Sequence, residues 1–96
     1  MTPTTTVTSV LDRAWTLAPQ VSVRPERFGA LLYHFGTRRL AFLKDVGLVG
    51  VVQGLADAPT ARVACDLAGV GAASLPAYER ALTRLVETDM VQERAS

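Results

Sequence analysis

The sequence predicts an α+β domain in which a three-stranded antiparallel sheet packs on three helices, in a winged helix-turn-helix-like order. Apolar alternation of period two runs from Val21 to Leu43. From Asp45 the apolar spacing changes to steps of three and four and keeps them to Val86. The chain has 96 residues, of which 49% are hydrophobic and 20% charged, which suits one small core with its strands and helices in separate blocks.

The clearest strands are residues 30–35 and 38–43, joined by Gly36-Thr37. A two-residue link that begins with glycine suits a type II′ hairpin turn. Leu31, Leu32, Tyr33, Phe35, Leu40 and Phe42 are the bulky residues that pleated surfaces favour. Counting by twos puts Leu31, Tyr33 and Phe35 on one face of one strand and Leu40 and Phe42 on one face of the next. Alternation assigns Leu40 and Phe42 to the core and leaves Arg39 and Ala41 on the other face. Val21-Ser22-Val23 supplies a first strand stopped by Pro25, which lacks a ladder N–H and marks either a strand end or a sheet edge. Upstream, the apolar residues between Ser9 and Leu17 fit either a short helix followed by an extended piece or a loose strand. Trp15 is expected to cover one end of the core. Residues 1–8 are expected to form a flexible tail, and 9–93 a single domain.

Asp45 is the expected cap of a first helix with Val46, Val49, Val52, Leu55 and Ala56 inward, ending near Ala58-Pro59. Gly47, Gly50 and Gly54 share one side of it and suit either a close backbone approach or simply a weak helix. A second helix is expected from Pro59 or Thr60 to Ala68, with Val63, Ala64 and Leu67 inward and Gly69 just past its end. Cys65 beside that stripe reads as a buried small hydrophobe. A third helix is expected after Ser74 as N-cap, with Pro76 in its first turn. Its apolar stripe is Leu75, Tyr78, Leu82, Leu85 and Val86, with Arg80, Arg84 and Glu87 outward. Met90-Val91-Gln92 is either a terminal strand or a tail on the core.

Composition narrows the function. The net charge of +1 argues against a general polyanion binder. The single cysteine excludes an internal disulfide, and no cysteine or histidine grouping has zinc spacing. His34 stands alone, the carboxylates are scattered, and no phosphate loop or dinucleotide fingerprint is present. The expectation is a protein that is not an enzyme and needs no cofactor or metal. No apolar run approaches the length of a membrane span, and residues 1–9 lack the apolar centre of a signal peptide, so a cytoplasmic location is expected.

Two kinds of binding fit these elements. Residues 66–91 suit a helix-turn-helix with a wing strand, and hence a DNA-binding regulator. Arg80 and Arg84 face out from that helix, but Ala77, Ala81 and Thr83 offer little for reading bases. The other candidate is peptide recognition at an open strand edge. There Arg38, Arg39 and Lys44 line the edge, Phe42, Leu82 and Leu85 floor a groove, and Arg80 and Arg84 stand on its rim.

The stretch P-E-R-F-G-A-L-L-Y-H-F-G-T-R-R-L, with A-P-Q-V-S-V-R before it and V-V-Q-G-L-A-D-A-P after it, closely resembles the peptide chaperone family of mycofactocin biosynthesis. The resemblance covers about residues 11–92. That family is among the RiPP recognition elements, similar to the peptide chaperone of pyrroloquinoline quinone biosynthesis. The resemblance implies a winged helix-turn-helix that binds the leader of a ribosomally made precursor peptide. It also implies delivery of that peptide to a partner radical S-adenosylmethionine maturase, which carries the chemistry. The leader is expected to add as a strand beside Arg39, Leu40, Ala41, Phe42 and Leu43 and to lie against Tyr78, Ala81, Leu82 and Leu85. Arg38, Arg39, Arg80 and Arg84 suit the acidic precursors of the family. Neither nucleic acid nor membrane is an expected partner, and a homodimer is compatible with the open edge.

Overall fold

A computed structural model describes residues 9–94. Five strands and three helices follow one another in the order β1 (Trp15–Leu17), β2 (Val21–Glu26), β3 (Gly29–His34), β4 (Leu40–Leu43), α1 (Val46–Gly54), α2 (Ala61–Leu67), α3 (Leu75–Glu87) and β5 (Val91–Glu93). The α+β class and the three-stranded antiparallel sheet, in the order β2-β3-β4, are as expected. A second, two-stranded sheet joins the ends of the chain. There β1 pairs antiparallel with β5, Trp15 opposite Glu93 and Leu17 opposite Val91. Residues 9–17 therefore follow the first of the two alternatives, with a 3₁₀ turn at Val10–Asp12 and then a strand. Trp15 is buried and its indole N–H donates to the Val10 carbonyl at 2.8 Å.

Pro25 marks the edge of the sheet and not the end of β2. The Phe35 N–H donates to Gln20 O at 2.8 Å, and counting from that bonded pair puts Pro25 opposite Ala30 at a position that makes no ladder bond. The missing N–H would have pointed to solvent, so an edge strand runs through proline to Glu26. The chain then turns at Arg27-Phe28. At Gly29, with φ of +157°, a Cβ would overlap the Leu43 carbonyl, so only glycine lets β3 pass that close to β4.

The sheet faces are the reverse of the expected assignment. Ala30, Leu32 and His34 of β3 and Leu43 of β4 are buried, Ala41 is half-buried, and Leu40 and Phe42 are exposed. The alternation itself holds, but α1 packs on the face that carries the two alanines, and buried residues of α2 and α3 join the same core. The small alanine side chains let α1 lie close to the sheet, while Leu32 and Leu43 fill the space between.

The helices begin and end largely as expected, and α3 buries its expected stripe, though the buried faces of α1 and α2 are rotated. Asp45 Oδ1 caps α1 by accepting from the Gly47 N–H at 2.9 Å, and Thr60 Oγ1 caps α2 by accepting from Val63 N at 3.3 Å. Gly69, with φ of +82°, closes α2 as a Schellman motif, in which its own N–H reaches Asp66 O and the Val70 N–H reaches Cys65 O. The buried residues of α1 are Leu48, Val51 and Val52, while Val46 is exposed. Those of α2 are Ala61, Ala64 and Cys65, while Leu67 is exposed. Both helices are short and apolar on several sides, so periodicity did not define the inner stripe. Ser74 makes no side-chain cap, because a 3₁₀ turn at Ala72–Ser74 leads into α3 with its backbone already helical. Leu55, Leu82 and Met90 join Leu32 and Leu43 at the centre of the core.

Candidate functional site

The site begins at the turn between β3 and β4. Gly36-Thr37 is not a two-residue II′ turn. The loop holds four residues, 35–38, with His34 N–H donating to Arg39 O at 3.0 Å and Arg38 N–H to His34 O at 2.7 Å. The positive φ falls on Arg38, at 65°, and not on Gly36. His34, 6% exposed, holds the loop from inside: its Nδ1 accepts from the N–H groups of Gly36 at 3.0 Å and Thr37 at 3.1 Å. The lone histidine is thus a turn-capping residue with its Nδ1 lone pair engaged.

The bonded pair His34–Arg39 sets the phase of β4. Ala41 and Leu43 direct their backbone groups toward β3, and Leu40 and Phe42 turn theirs to the open edge of the sheet. This edge stands across a groove of about 470 Å³ from α3. Leu40, Ala41, Phe42 and Leu43 line one wall of that groove, and Arg80, Ala81, Arg84 and Leu85 line the other. Leu48 of α1 and Thr88 at the end of α3 complete the lining. Neither follows from the sequence pattern. Leu48 lies on a helix whose inner face periodicity did not define, and Thr88 is a C-cap whose hydroxyl donates to Arg84 O at 3.1 Å.

The other candidate residues lie elsewhere. Leu82, 1% exposed, belongs to the core. Arg38 and Arg39 sit on the exposed turn at one end of β4. Tyr78 is half-buried and directs its hydroxyl to Asp45 Oδ2, which ties α3 to the cap of α1. That hydrogen bond, reinforced by burial and by the carboxylate charge, pushes the phenol up to about 12. Gly47 makes the contact feasible, since a Cβ there would overlap the Tyr78 hydroxyl. Gly50 and Gly54 meet no such crowding. Burial pushes the Cys65 thiol up, away from thiolate chemistry.

The groove is apolar along its floor and cationic on one rim. Among the described residues, neither Arg80 nor Arg84 has a carboxylate within ion-pair distance. An open strand edge facing an apolar helix face fits an extended peptide, with main-chain bonds along β4 and side chains over Leu48, Ala81 and Leu85. Residues 14–92 match the sequence profile of the family described as the peptide chaperone MftB family.

The chain belongs to the peptide chaperone MftB family.

A relative described as peptide chaperone MftB, from Mycobacterium tuberculosis (strain ATCC 25618 / H37Rv), is 54% identical over 83 residues, covering 86% of this chain and 76% of that protein. The peptide chaperone MftB of Mycolicibacterium smegmatis (strain ATCC 700084 / mc(2)155) is 54% identical over 80 residues, covering 83% of this chain and 78% of the relative. The protein of the same description from Mycobacterium ulcerans (strain Agy99) is 52% identical over 80 residues, covering 83% and 73%. No solved structure matches the chain significantly. The family that the sequence resembles is the family to which it belongs. Among the described residues no helix is long and apolar enough to cross a membrane.

Proposed function

We propose that this protein is a non-catalytic peptide chaperone of mycofactocin biosynthesis. It binds the leader of a ribosomally made precursor peptide by strand addition to β4 and presents that peptide to a radical S-adenosylmethionine maturase. The observation that carries the binding mode is the outward-facing backbone of Leu40 and Phe42 beside the groove shared with α3. Two main-chain donors and two acceptors are available there, and the groove offers apolar surface for alternate side chains of the added strand. Arg80 and Arg84 on the rim, with Arg39 at the turn, favour an acidic leader through charge-assisted contacts.

In this reading the elements form a winged helix-turn-helix whose third helix serves peptide rather than DNA. Arg80 and Arg84 line the groove with β4, which suits a bound peptide better than a major groove. The protein acts in the cytoplasm as a single domain spanning 9–93. A fluorescence titration with the precursor leader is expected to give micromolar or better affinity, about −8 kcal/mol or stronger. Arg39→Glu with Arg84→Glu is expected to weaken binding about tenfold or more. Unchanged affinity in that double variant would reject this site, and absence of any leader binding would reject the function. Duplex DNA serves as the control, and steeply salt-dependent binding to it would favour a regulator instead.

A further inference from the structure

All three phenylalanines of the chain lie outside the core. Phe28 is 46% exposed, Phe35 61% and Phe42 58%, and Leu40 beside them is 59% exposed. Register explains how they come together. Arg24, Leu31 and Phe42 form one row across β2, β3 and β4, and Ser22, Tyr33 and Leu40 form the next. Both rows belong to the face opposite the helices. The two turns add an aromatic at each end, with Phe28 against Phe42 at 6.1 Å between centroids and Phe35 edge-on to Tyr33 at 5.0 Å. Folding leaves this apolar surface in water, which is the pattern of a docking site rather than of scattered surface residues.

The rim decides what kind of surface would cover it. Arg24 projects from the face, Arg27 and Phe28 share one turn, Arg38 and Arg39 stand at the other, and Lys44 adjoins Phe28 and Phe42. Among the described residues only Arg24 of these five has a carboxylate partner, Glu26 at 3.4 Å. A second copy docked face to face would set cation against cation, so self-association is opposed and a carboxylate-rimmed partner is favoured. The face is also continuous with the groove. A strand added to β4 would direct alternate side chains onto this same outer surface, beside Leu40 and Phe42. A protein seated there would touch chaperone and peptide together.

We infer that the outer face of the β2-β3-β4 sheet is a second docking surface, which receives a folded protein whose apolar patch is rimmed by carboxylates. Resting on the function proposed above, the assigned occupant is the maturase to which the peptide is delivered. The groove holds the peptide, and the opposite side of the same strand holds the enzyme.

Phe28→Ser with Phe35→Ser tests this, since neither residue lines the groove and both are exposed enough to be replaced without opening the core. Binding of the full chain to the purified maturase and, separately, to the precursor leader would be measured by calorimetry. The expected result is a loss of maturase affinity of about tenfold or more with leader affinity unchanged. Unchanged maturase affinity would overturn the assignment. So would sedimentation showing that the wild type dimerises through these residues, or flotation with phosphatidylserine vesicles that the double variant abolishes. A wild-type chain that binds the maturase but not the leader would instead reject the proposed function, and the double variant would still decide the face.

Discussion

The Tyr78 hydroxyl donates to one oxygen of Asp45 while the other oxygen of the same carboxylate caps α1 at the Gly47 N–H. One side chain therefore couples the end of β4, the start of α1 and the first turn of α3. These are the elements that border the groove, so its width depends on this junction.

Tyr78→Phe keeps the ring and removes the donor. It is expected to cost about 1 kcal/mol of stability, the modest value for a partly exposed bond. The pH dependence has a definite sign. The phenol is raised from 10.0 to about 12 in the folded state, so between those values the unfolded chain loses the proton first. The stabilisation is complete below pH 10 and is lost as pH rises through about 12. Urea titrations at pH 9 and pH 11 would check this, with the Tyr78→Phe protein expected to lack the Tyr78 share of the alkaline decline. An identical decline in both proteins would refute the coupling.

His34→Phe would preserve apolar packing on the core side of β3 and remove the acceptor for two turn N–H groups. Water can reach the exposed loop, so the expected cost is roughly 1 kcal/mol rather than that of two buried orphans. The more specific sign is local. Amide exchange at Gly36 and Thr37 should accelerate well beyond that at Leu32, which lies in the β3 ladder. Uniform acceleration at all three would mean that the histidine supports the fold at large and not the turn.

Leu40→Pro removes an N–H that faces the open edge, the arrangement that β2 already tolerates at Pro25. Leu40→Thr keeps the N–H and loses only the exposed side chain. If the leader adds to β4, the proline variant should bind it about tenfold or more weakly, and the threonine variant nearly as well as wild type. A circular dichroism melt would establish that the proline variant is folded. Equal leader affinity in the two variants would exclude strand addition at this edge.

Much of the local structure was legible in the residues. Asp45, Thr60 and Gly69 mark helix ends through interactions within a few residues, and period-two alternation placed β3 and β4 with small boundary shifts. The strand edge and the arginines of α3 could be proposed as a site because each is a property of one element. His34 was less legible. Its role depends on a four-residue loop curling back over it, whereas Gly36-Thr37 by itself suggested a shorter turn.

Local patterns in the residues establish which residues share a face, where most helices start and stop, and the family resemblance. Which face points inward is set by the packing of distant elements. Alternation divides a strand into two sets, and by size alone Leu40, Phe42 and Tyr33 are the expected core set. The helices chose the set with Ala30 and Ala41, because close helix-to-sheet packing needs small residues at the contact. The pairing of β1 with β5 was equally hidden, since Trp15 and Glu93 meet across nearly the whole chain and no local pattern records a partner that distant. Burial of the smaller side chains left the aromatic ones outside, and that choice turned an expected core face into a candidate surface for a partner.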